Sequence, residues 1–146
     1  MRKLIPAVRP FVAAFIVGPV LLAALLVWPE APADDLDPAT KQLLVDAVQA
    51  AFEVDLFNSR CRSDLSGRRT ENLNKELVSR YRMTVLDVQD DLFPEGYYRD
   101  AQARMERDFR ARLREIGGCP GAKEQRWRDE LQGRYEELMA EIASQP

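Results

Sequence analysis

From Pro38 onward the apolar residues recur every three or four positions, in four blocks separated by helix breakers. That spacing lays side chains along one face of an α-helix. A half-buried strand needs alternation of period two, which is almost absent here. The expected fold class is therefore all-α. Asp37 and Pro38 suit the cap and first position of a helix that carries Leu43, Leu44, Ala47, Val48, Ala51, Phe52 and Leu56 on one face and runs to Cys61. Residues 63–69 read as a loop.

A second helix is expected from Thr70 to Leu92. Leu73, Leu77, Val78, Tyr81, Val85, Val88 and Leu92 share an arc of about 140° there. Phe93-Pro94 ends it, because the residue before proline resists helical geometry. Tyr98, Ala101, Met105, Phe109, Leu113 and Ile116 define a third helix, stopped by Gly117-Gly118, with Pro120-Gly121 as a turn. The fourth runs over residues 122–143, with Trp127, Leu131, Tyr135, Leu138, Met139 and Ile142 inward. Four such helices with short connections predict an antiparallel up-down bundle. The alternative is a three-helix core with the first helix packed loosely. Met105, Met139 and the tyrosines read as core.

The N-terminal run over residues 11–28 carries no charge. Arg2, Lys3 and Arg9 precede it, and Glu30, Asp34 and Asp35 follow. Cations held on the cytoplasmic side would leave the rest of the chain outside. Ala31-Pro32-Ala33 matches a signal-peptidase site, and Gly18-Pro19 interrupts the run, which favours cleavage. Retention as an anchor is the other fate, since eighteen helical residues span about 27 Å of a roughly 30 Å hydrocarbon core. The expected organisation is a signal peptide or anchor over 1–33, a linker over 34–37 and a helical domain over 38–146. The expected place is the bacterial periplasm, with an inner-membrane anchor as the alternative.

There are two cysteines and no histidine. In an up-down bundle Cys61 and Cys119 fall at the same end, and outside the cytoplasm they are expected to pair. The chain-entropy estimate for such a bridge is about 4 kcal/mol. No Cys-x-x-Cys is present, and two thiolates without histidine make a poor zinc site, so no metal or cofactor is expected. A net charge of −3 argues against a general nucleic-acid binder.

Four polar residues fall inside the apolar arcs: Asp55, Asn74, Arg112 and Arg128. In the bundle they share one layer beneath the bridge. The plain expectation is an internal network in which Asp55 pairs with an arginine. The sharper one is that two guanidiniums and one carboxylate leave positive charge for a small anion or a partner's carboxylate. Arg60, Arg62, Arg68 and Arg69 gather near the same end, as a solvated loop or a face for an acidic partner.

The expected function is a non-catalytic envelope module that binds another protein, in the manner of immunity proteins, inhibitors or chaperones. One alternative is an anion binder or helical enzyme built on the Arg/Asp layer. Another is a membrane-anchored accessory subunit of an envelope complex, touching the membrane only through residues 11–28.

Overall fold

The computed structural model describes residues 36–145, and the N-terminal apolar run lies outside them. Among the described residues six helices stand where four were expected: α1 (Pro38–Cys61), α2 (Arg68–Tyr81), α3 (Val85–Asp91), α4 (Tyr98–Glu115), α5 (Gly118–Glu124) and α6 (Trp127–Ser144). No strand occurs among the described residues. None of the described helices is long and apolar enough to cross a membrane.

α1 begins as its sequence dictates. The Asp37 carboxylate accepts from the amides of Ala39 at 2.9 Å and Thr40 at 3.1 Å, and Pro38 needs no partner for its nitrogen. The helix packs against α2, α3, α4 and, most extensively, α6. It is the central element rather than a loosely attached one. The reason lies in its composition: Ala47, Ala50 and Ala51 are buried and small, so neighbours approach from more than one side, while Leu44, Val48 and Val54 fill the space between.

The helix expected over 70–92 is two helices. Arg82 has φ +55° and ends α2, and Thr84 then starts α3 with a capping box. The Thr84 hydroxyl accepts from the Asp87 amide at 3.1 Å, and the Asp87 carboxylate accepts from the Thr84 amide at 2.6 Å. Thr84-Val85-Leu86-Asp87 is a helix-start signal in the sequence, hidden by an apolar period that continues through it. The break changes the rotational phase, so Val78 is exposed while Val85, Val88 and Gln89 are buried.

α4 buries Ala101, Met105 and Phe109. Trp127, the first residue of α6, wedges between α1 and α4. Its ring stacks on Phe109 at 5.2 Å between centroids and meets Phe57 edge-on at 6.0 Å. Cys61 and Cys119 form a disulfide across 5.5 Å between Cα atoms, within the usual span of such bridges. The segment expected to be a plain turn after Cys119 is the short helix α5, with Pro120 in its first turn, where a missing amide hydrogen costs nothing. Gly121 lets α5 press against the end of α4. A Cβ there would sit 1.7 Å from the Ile116 carbonyl oxygen.

Candidate functional site

The cap position before α2 is Gly67, which has φ +60° and no side chain to cap the helix. Its exposed amides are bound by a neighbour instead. Asp55, on α1, accepts from the amides of Thr70 at 2.8 Å and Arg69 at 3.2 Å. Asn74, on α2, does the same for α3, its Oδ1 accepting from Val85 at 2.9 Å. Asp90, on α3, accepts from the Tyr98 amide at the start of α4. Three helix starts are thus met by a carboxylate or amide from the preceding helix, where the unpaired amides and helix dipole favour negative charge.

Asp55 and Asn74 line one cleft of about 550 Å³, bounded by α1, α2, α3, the α1–α2 loop and Gln102 of α4. Its walls are mainly apolar, with Phe52, Leu56 and Val85 inside and Leu65 and Leu86 at the mouth. Leu65 is 84% exposed and Leu86 45%. The ionisable residues of the lining are Asp55, Asp64 and Glu71, with no cation among them. A hydrogen bond from Ser66 holds the Asp64 carboxyl below its ordinary range, helped by Arg68 and Arg69. Lys75 does the same for Glu71 across 2.9 Å. Both stay ionised near neutrality.

Gln89 stands at the floor of this cleft. It is fully buried, its Oε1 accepts from Gln102 at 2.9 Å, and its Nε2 has no partner. Sequence reasoning missed it. On a continuous helix Gln89 projects about 20° outside the apolar arc. The break at Arg82 is what turns it inward.

Arg128 lies elsewhere, in a second cleft of about 360 Å³ beside the disulfide. Its Nε is buried without a hydrogen-bond partner. Arg112 is on the surface of α4, 3.3 Å from Glu115. The four residues therefore do not form one layer: two share the first cleft, one lies in the second, and one is solvated. Asp55 neutralises helix amides rather than an arginine.

The arginines near the loop are also divided. Arg60 reaches Glu106 on α4 at 2.7 Å, and with Arg110 it holds the Glu106 carboxyl below its ordinary range. Arg69 donates to Gln132 on α6 at 3.1 and 3.2 Å, and its carbonyl accepts from the Tyr135 hydroxyl at 3.4 Å. Burial raises the Tyr135 pKa and keeps that hydroxyl a donor. Among the described residues no cluster of three or more His, Cys, Asp or Glu side chains is placed to hold a metal ion. No protein-family model, curated protein or solved structure matches this chain.

Proposed function

We propose that this is an exported cell-envelope protein whose helical domain binds another protein through the leucine-edged cleft, without catalysing a reaction. In this reading residues 1–33 direct export, and α1, α2, α4 and α6 are the long members of an up-down bundle, with α3 and α5 as short inserts. The Cys61–Cys119 bridge is compatible with an oxidising compartment.

The observation that carries the reading is the pair of exposed leucines at the mouth of an apolar cleft. A single exposed leucine is ordinary, but two that flank a concave apolar wall form a surface that loses free energy when covered. An apolar lining whose ionisable groups are all carboxylates favours a partner segment with aliphatic side chains and a nearby lysine or arginine.

Affinity capture from envelope fractions tests this. The native protein is expected to retain one partner in near-equal amount. Leu65→Asp, at a solvent-exposed position, is expected to release it while leaving the circular dichroism melt unchanged. Retention of the same partner by Leu65→Asp and Leu86→Asp would show that the cleft is not the interface.

A further inference from the structure

The geometry points to a second binding site, in the cleft beside the disulfide, for a small oxyanion: a phosphate or carboxylate group. This site is separate from the leucine-edged cleft and does not rest on the protein-binding reading.

Four cations, Arg62, Lys123, Arg126 and Arg128, line this cleft against one carboxylate, Asp129. Arg126 is already paired, with two of its nitrogens 3.0 Å from Asp129 Oδ2. Arg62, Lys123 and Arg128 have no ion-pair partner among the described residues. Several cations elsewhere are paired with carboxylates, as at Arg60–Glu106 and Arg134–Glu53. Here three positive charges remain together around a concavity of about 360 Å³, at the small end of the range for ligand sites.

Two further features lie at this cleft. The Arg128 Nε is buried and unbonded, so the guanidinium is desolvated on one edge without return. The cleft also lies at the N-terminus of α6, which starts at Trp127 and has no side-chain cap. The starts of α2, α3 and α4 receive an oxygen from a neighbouring helix. The helix dipole and free amides favour an anion at such an end, and guanidinium matches the planar geometry of carboxylate and phosphate oxygens. The disulfide, which joins residues 58 apart in sequence, forms part of the wall and brings Arg62 to Lys123 and Arg128. The staple thus assembles the site as well as the fold.

Titration with inorganic phosphate, at ionic strength held constant with sodium chloride, reads the site through the backbone amide signals of Trp127 and Arg128 in NMR spectra. Saturating shifts are expected. Arg128→Gln and Lys123→Gln are each expected to weaken binding about tenfold, the loss of one charge-assisted bond. Lys123 is exposed, so its variant reports on the site even if Arg128→Gln perturbs folding. Lys41→Gln, at the far end of α1, is expected to bind as the native protein does. A parallel titration with acetate separates the two sources, since the anion that saturates at lower concentration identifies the group preferred. A linear response to both anions overturns the site, as does one reproduced by chloride alone. So does binding that survives both cleft substitutions, or that Lys41→Gln weakens equally.

Discussion

Gly117, Gly118 and Gly121 surround Cys119, and the first two are needed for a different reason from the third. Gly117 and Gly118 have φ of +89° and +71°, a region that costs other residues free energy. Gly121 has an ordinary φ but no room, because the Ile116 carbonyl oxygen occupies the place of a Cβ. The atom in the way is backbone and has no rotamer with which to give. Gly121→Ala is therefore expected to destabilise the fold by about 3 kcal/mol, visible as a lowered Tm. Gly133→Ala is its control: that position lies within α6 with open space around it, so alanine there is expected to be neutral or slightly stabilising. The need for glycine at 117 and 118 is legible as a helix stop. The need at 121 is not, since it depends on how closely α5 approaches the end of α4.

At the scale of elements, the helices are tied end to end by side chains that cap the next helix in the chain. Asp55 serves α2, Asn74 serves α3 and Asp90 serves α4. Such caps join the start of a helix to its neighbour's packing, so the two are lost together. Asp55→Ala is expected to cost about 1–2 kcal/mol in chemical denaturation, the usual loss for a removed cap. Asp55→Asn is expected to cost less, because its amide oxygen still accepts from Thr70 or Arg69. If Asp55 served instead to neutralise an arginine, the two substitutions would cost the same. α3 illustrates why element boundaries were partly hidden. The apolar period from Leu73 to Leu92 is unbroken, while Arg82 takes a left-handed conformation and Thr84 restarts the helix. Periodicity reports which residues face inward over a few turns, and two helices that bury the same strip look like one.

For the whole molecule the disulfide is the longest-range constraint that the sequence announces. It fastens the end of α1 to α5, and through Gly121 to the end of α4. Reduction with dithiothreitol is expected to lower stability by about 2–4 kcal/mol, read as a fall in Tm that Cys61→Ala with Cys119→Ala reproduces. An unchanged Tm on reduction would mean that helix packing alone restrains this end. Around α1 the structure also sets two clefts of different character, one apolar with carboxylates in its lining and one rich in unpaired cations. They lie on opposite sides of the charge balance that the net value of −3 averages away.

By itself the sequence determined the all-α class, the start of α1 at its Asp37 cap, the inward strips of α1, α4 and α6, and the pairing of its two cysteines. These depend on interactions between residues a few positions apart, or on there being only one thiol partner to choose. Tertiary structure alone decided that Asp55 caps α2, that Gln89 is buried, that Arg112 is solvated and that Arg128 lies beside the disulfide. Arg112 shares the phase of Ala101 and Met105 on α4, yet one is exposed and the others are buried. A helical projection records direction around one axis. How far along that axis a neighbour covers it depends on where the other helices cross, and that is settled only when the whole chain packs.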